Sequence, residues 1–176
     1  PTPAPTPGPA PAPAPAPTPT SAPVPAPSGT AGPRVSNFVP SGPITASAGQ
    51  VISGLAISNP NGDCVRVQGT GSVTIRDSKI GPCGRAAVMI TGGAAGTVME
   101  HNTIIDAGMG AYVVGASNVT IRRNVFNTLR RIGEKYAHAT EITRVDGGLI
   151  EGNEYLGSFP NDVLSGYESS NVQYLN

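Results

Sequence analysis

The sequence predicts an all-β solenoid of about five stacked coils, carried behind an extended Pro-rich arm. Three observations predict it. An eight-residue pattern recurs along the chain: Val73–Ile80 (VTIRDSKI), Thr97–Ile104 (TVMEHNTI), Val119–Phe126 (VTIRRNVF) and Gly148–Tyr155 (GLIEGNEY). A weaker copy comes first, at Gln50–Ile57, and an incomplete one begins at Val172. The central apolar residues are Ile52, Ile75, Met99, Ile121, Ile150 and Tyr174, so the copies are spaced by 23, 24, 22, 29 and 24 residues. Within each copy the apolar positions have period two, are rich in β-branched residues and are punctuated by Gly, which is a strand signature and not a helical one.

A repeat of this length with short strands implies that each coil lies on the previous one. Equivalent strands then pair in parallel, about 4.8 Å apart, and equivalent residues stack in columns. One inward column reads Ile75, Met99, Ile121, Ile150; the next reads Ile57, Ile80, Ile104, Phe126, Tyr155. Between them runs a column of Ser78, Asn102, Asn124 and Asn153, with Leu55 breaking it in the first coil. An Asn at a tight bend can hydrogen-bond both the next coil's Asn and the local backbone. A further strand is expected 13 and 15 residues after each anchor, at Val65/Val67, Val88/Ile90, Tyr112/Val114 and Val163/Ser165. The fourth coil carries extra residues, and its strand is expected at Thr140 to Ile142. Phe38 to Ala48 are expected to cap the first coil.

These strand–Asn–strand repeats resemble the right-handed parallel β-helix superfamily of pectate lyases, polygalacturonases, polysaccharide C5-epimerases and phage tailspikes. The resemblance spans Gly49 to Asn176 and implies a right-handed, single-stranded parallel β-helix. It implies that Val73–Ile75 and its equivalents form the second sheet, that the Asn column marks the second turn, and that Val88–Ile90 belongs to the first sheet after a long third turn. It also implies that a substrate would lie on the outer face of the first sheet. The fold alone does not specify an activity.

Residues 1–35 read as a Pro/Ala/Thr-rich linker, and 36–176 as the β-helix domain, with a C-terminal end expected to be incomplete or uncapped. Pro1 to Pro27 carry no charge and alternate Pro with small residues. Such a segment has little to bury and few N–H donors, so it is expected to be a disordered, polyproline-like spacer. The chain begins with Pro, so a mature or excised form is expected, with any signal peptide outside it. Lysines and arginines balance aspartates and glutamates at 11 each. That neutrality argues against nucleic acid as a partner, and no apolar run is long enough to span a membrane. A neutral spacer before a small-polar β-domain suggests a secreted, periplasmic or surface-tethered protein. Cys64 and Cys83 could bridge neighbouring coils in an oxidising compartment, or remain as two partly buried thiols.

Candidate chemistry is sparse. Ser53, Arg76, Glu100, Arg122 and Glu151 form an outward column of alternating sign, read as a cross-coil salt-bridge ladder. His101 lies between Asp77 and Arg123 of adjacent coils and reads as a surface ladder residue, with a general base as the sharper alternative. On the first sheet the outward residues are expected to be Arg66, Met89, Val113, Glu141 and Leu164. Asn127 to Ala139 form an inserted loop at the third turn. Arg66 and Glu141, together with Arg130, Arg131, Lys135, Tyr136 and His138 of that loop, are the candidate substrate-binding residues, because Arg pairs carboxylates bidentately and Tyr can stack on a sugar ring. Asn61 to Val65 faintly resemble the Gly-Asp-Asp-Cys motif of polygalacturonases, with one Asp where that family has two and no His in Gly81 to Arg85. No intact lyase, hydrolase or epimerase motif is visible, so a catalytic role stays undecided and no catalytic residue is assigned. No metal site or cofactor is evident, and Ca²⁺ would need a carboxylate cluster that the sequence does not supply.

The expected function is therefore a β-helix module that binds or processes polysaccharide, including acidic polysaccharide. The alternative is a structural or adhesive β-helix on a Pro-rich stalk, which self-associates or meets a capping partner at its C-terminal end.

Overall fold

The computed structural model describes residues 29–69, 71–130 and 137–175. Every strand pairing is parallel and joins equivalent residues of successive coils, as in Ile52↔Ile75 and Ile75↔Met99. The result is a right-handed parallel β-solenoid of about five coils.

Three faces are formed in turn along each coil. The second face is a six-stranded sheet of Val51–Ser53, Thr74–Arg76, Val98–Glu100, Ser117–Arg122, Asp146–Glu151 and Ser170–Leu175. The third face contains Leu55–Asn59, Thr103–Ile105, Val125–Asn127 and Glu154–Leu156, and the first contains Ile44–Ala46, Val65–Gln68, Ala107–Val114, Thr140–Thr143 and Leu164–Tyr167. Lys79–Thr91 is long enough to belong to both, and it joins the first and third faces into one eleven-stranded sheet. At the N-terminal end Val39–Ser41 pairs with Leu55–Asn59, and Ile44–Ala46 pairs with Val65–Gln68.

The core is made of the stacked columns. Ile75, Met99 and Ile121 are fully buried, as are Ile57, Ile80, Ile104 and Phe126. Each such side chain contributes about 1.5–3 kcal/mol by leaving water. Phe126 stacks on Tyr155, with ring centroids 5.5 Å apart. Burial pushes the Tyr155 phenol up to about 12.

The second turn is a one-residue corner. Gly54, Asp77, His101, Arg123 and Gly152 occupy it, all with φ between 49° and 70°. For the three non-Gly residues this left-handed conformation costs roughly 1–2 kcal/mol each, so the surrounding hydrogen bonds must hold it. They come from the residue that follows the corner. The Asn124 carboxamide oxygen accepts from the Asn102 N–H at 3.0 Å and from the Asn102 side chain at 3.0 Å. Asn124 Nδ2 donates to Met99 O, Arg122 O and Asn153 Oδ1. Ser78 N–H donates to Asn102 Oδ1 in the same way.

Two expectations change. The alternating column on the second face forms the ion pair Arg122–Glu100, at 2.7 Å. Glu151, further along it, is buried, 3% exposed, rather than solvated. His101 is also buried, 5% exposed, because a segment of the chain crosses over it. Sequence spacing sees neighbours within the coil stack but not a segment laid across it.

Asn124→Ala should destabilise the fold by about 2–3 kcal/mol, because the buried Asn102 N–H loses its acceptor. Asn153→Ala, at a half-buried site, should cost less; urea denaturation of the two variants checks the order. Tyr155 contributes a separate signature at high pH. Its folded pKa is raised, so its contribution to stability is intact below the ordinary phenol value of 10.0 and is lost as pH rises towards about 12. Tyr155→Phe should flatten the fall in stability above pH 10.

Candidate functional site

Parallel, in-register pairing places one residue per coil on each outward column. On the first face that column is Thr45, Arg66, Met89, Tyr112, Glu141 and Ser165. Arg66 and Glu141 are three coils apart, about 14 Å at the strand spacing. The expected Val113 and Leu164 are replaced by Tyr112 and Ser165. Val113 is fully buried, whereas Leu164 shares the register of the inward Thr140 and yet stays 38% exposed. For Tyr112 the reason is a bulge. Between Cys83 and Ala86 the second coil uses one residue more than the third uses between Ala107 and Met109. A one-residue shift exchanges the two faces of a strand, so Tyr112 points outward and not into the core. The only sequence signal was the shorter spacing of 22 residues between Met99 and Ile121.

One end of the strip is charged. The Asp63 carboxylate is buried, with 2% of its side chain exposed. It accepts from Arg66 Nε at 2.9 Å and from the Ala86 N–H at 3.1 Å, and Arg66 Nη2 lies 2.9 Å from it. Arg85 Nη1 approaches the same carboxylate to 3.7 Å. One buried carboxylate thus aligns two guanidiniums whose side chains remain 38% and 46% exposed. The cluster carries a net charge of about +1 and retains unused N–H donors facing water.

The backbone around it is locked. Cys64 and Cys83 form a disulfide across adjacent coils, with Cα atoms 5.6 Å apart. Cys64 follows Asp63 directly, and Cys83 precedes Arg85 by two residues. Gly84 lies against the Asn61–Gly62 turn so closely that a Cβ there would sit 2.3 Å from Pro60 O. Only glycine lets the two turns meet and brings Arg85 over Asp63.

Two depressions share Asp63 and Arg85. One is bordered by Met89, Met109 and Tyr112, the other by Thr45, Asn59 and Arg66. The strip therefore runs from a cationic end to an apolar, aromatic middle.

The remaining candidates are distributed differently. Glu141 lies beside Tyr112 in the next coil. His138 sits beneath the face, 3% exposed. Its Nδ1 lies 3.0 Å from Asp162 O, which can only accept, so that nitrogen carries the proton. Its Nε2 is 3.9 Å from Glu141 Oε2. Arg130 is drawn into an ion pair with Asp106. Arg131, Lys135 and Tyr136 lie outside the described residues. Among the described residues no three His, Cys, Asp or Glu side chains come together as a metal site, and no helix is long and apolar enough to cross a membrane.

Comparison with known proteins agrees with this fold. A family model described as "Right handed beta helix region" matches residues 43–172. A crystal structure of a protein from Parabacteroides merdae, provisionally described as a glycosyl hydrolase, superposes with a TM-score of 0.55 at 14% identity, covering 78% of this chain and 77% of that one. At that identity the likeness is one of fold. No curated protein matches the sequence.

Replacing both Cys64 and Cys83 by Ser opens the 19-residue link between coils. It should cost about 3 kcal/mol in the chain-entropy account, read as a lower urea midpoint that matches the wild type under reducing conditions.

Proposed function

The chain belongs to the right-handed beta helix family, and on that premise we propose that it is a secreted or surface-tethered module that binds polysaccharide, including acidic polysaccharide, along the outer face of its first sheet. The observation that carries this reading is the strip itself. Arg66 and Arg85, aligned on Asp63, stand next to Met89, Met109 and Tyr112. Guanidiniums recognise carboxylates and sulfates through paired N–H donors. A flat aromatic ring beside them offers an apolar surface with a polar tip. A repeat of about 4.8 Å per coil lets successive units of an extended polymer meet successive coils.

Binding fits the geometry better than proton transfer does. The Asp63 carboxylate is engaged by two arginines and a backbone N–H, which suits it to fixing the arginines. A carbohydrate ligand is compatible with the provisional description of the Parabacteroides merdae protein. The buried disulfide supports an oxidising compartment. The Pro-rich residues 1–28 suit a spacer between the domain and whatever holds it.

The test is a titration of the purified chain with polygalacturonate, alginate and a neutral glucan. Saturable binding to the uronates is expected, and it should weaken as salt is raised. Arg85→Ala should lower uronate affinity about tenfold, the loss of one charge-assisted contact, without shifting the thermal midpoint. Tyr112→Ala should weaken every ligand that binds. Absence of binding by the folded wild type, or wild-type affinity in both variants, would overturn the reading.

A further inference from the structure

The segment that precedes the first coil does not begin at the N-terminal end of the solenoid. Followed backwards from its first strand, it climbs the stack. Val39 N–H donates to Gly54 O in the first coil. Arg34 meets Asp77 in the second coil through three bonds: its backbone N–H to Oδ1 at 3.1 Å, Nε to Oδ1 at 2.9 Å and Nη2 to Oδ2 at 2.7 Å. Gly32 reaches the third and fourth coils. Its carbonyl lies 3.2 Å from His101 Nδ1, and its N–H donates to Arg123 O at 2.8 Å. A Cβ on Gly32 would press on Val125 Cγ2 at 3.2 Å, so the segment lies flush on the stack.

The partners share one feature. Asp77, His101 and Arg123 are the three non-Gly residues of the second-turn corner, each with φ near 50°. That left-handed corner turns their side chains or carbonyls onto the flank that the segment crosses. The second turn joins the second and third faces, so this flank is opposite the first face.

We propose that Gly32 to Arg34 form a latch that binds the base of the Pro-rich arm to the second-turn corner, so that the arm leaves the solenoid beside its fourth coil and the first face is held pointing away from the tether. The latch is a unit separate from the core: apart from Gly32 against Val125 its contacts are polar, and Arg34 stays half exposed. The value placed on the first face rests on the polysaccharide reading; the latch itself does not.

The charges around the latch set its pH range. Asp77 faces Arg34 on the crossing segment and His101 in the next coil, and Arg34 also feels Glu100. The hydrogen bond from Arg34 holds the Asp77 carboxyl below its ordinary value of 3.8. A depressed carboxylate stabilises the closed form above that value and releases it as pH falls through the lower, folded one. The latch is therefore closed throughout the neutral and mildly acidic range.

The test uses the full chain with its disulfide intact, at neutral pH. Amide exchange is measured by NMR in the wild type, Asp77→Asn and Arg34→Gln; Asn tolerates the left-handed corner. Exchange at Arg34 should rise at least about tenfold in Asp77→Asn. Exchange at Gly32, whose own acceptor is untouched, should rise with it in both variants, while Ile75 and Ile121 stay protected. A Gly32 amide that stays protected, or core amides that open together with it, would overturn the latch. A paramagnetic label on Thr30→Cys should broaden Arg123 and Gly152, lose that effect in the Asp77→Asn background, and spare Met89 and Tyr112. Broadening at Tyr112 would overturn the orientation. Failure of the chain to bind polygalacturonate would remove the polysaccharide reading and leave these outcomes unchanged.

Discussion

Parallel hydrogen bonding between equivalent residues of successive coils is the constraint on which the molecule depends. It forces each position to stack on its own kind, so a single substitution pattern is read out as a column running the length of the solenoid. Apolar columns become the core. Polar columns must find partners along the stack, because a buried unpaired amide or carbonyl is expensive. The Ser78, Asn102, Asn124 and Asn153 column meets this demand by donating and accepting between coils. In doing so it supports the left-handed corner that precedes it.

That corner has a second consequence. A residue with positive φ between two strands cannot turn into the core, so its polar groups face the flank. In the middle coils Asp77, His101 and Arg123 stand there, where Gly would satisfy the backbone more cheaply. The side-chain contacts of Asp77 with Arg34 and of His101 with Gly32 give a physical reason for side chains at two of these positions; Arg123 meets the segment through its carbonyl. The crossing segment covers the corner, and the first face, on the other side, stays open.

The first face illustrates how a regular stack produces an irregular surface. The strands below it are in register, yet the turns that lead into it differ in length. A disulfide, a tight glycine contact and a bulge absorb those differences. Together they bring Asp63, Arg66 and Arg85 into one cluster and turn Tyr112 to the outside. The chemistry of the face therefore comes from the departures from the repeat, and its rigidity from the repeat itself.

The repeat was fully legible in the sequence. Ile75, Met99 and Ile121 declared the core column, the Asn spacing declared the turn, and period two declared the strands, because stacking copies local pattern into tertiary position. Arg66 could be placed on the outer face by counting from its anchor, and Glu141 from the alternation of Thr140 to Ile142. Tyr112 could not, since one residue gained or lost in a turn inverts the faces, and turn lengths are settled only by how the turns pack. The partners of Asp63 and the burial of His101 and His138 were equally out of reach. Each arises where non-repeating segments meet the stack, and nothing in their local sequence specifies where they land. The amino-acid sequence determined the solenoid by periodicity; the tertiary structure alone decided which side chains share a surface, because that depends on contacts between parts of the chain that do not repeat.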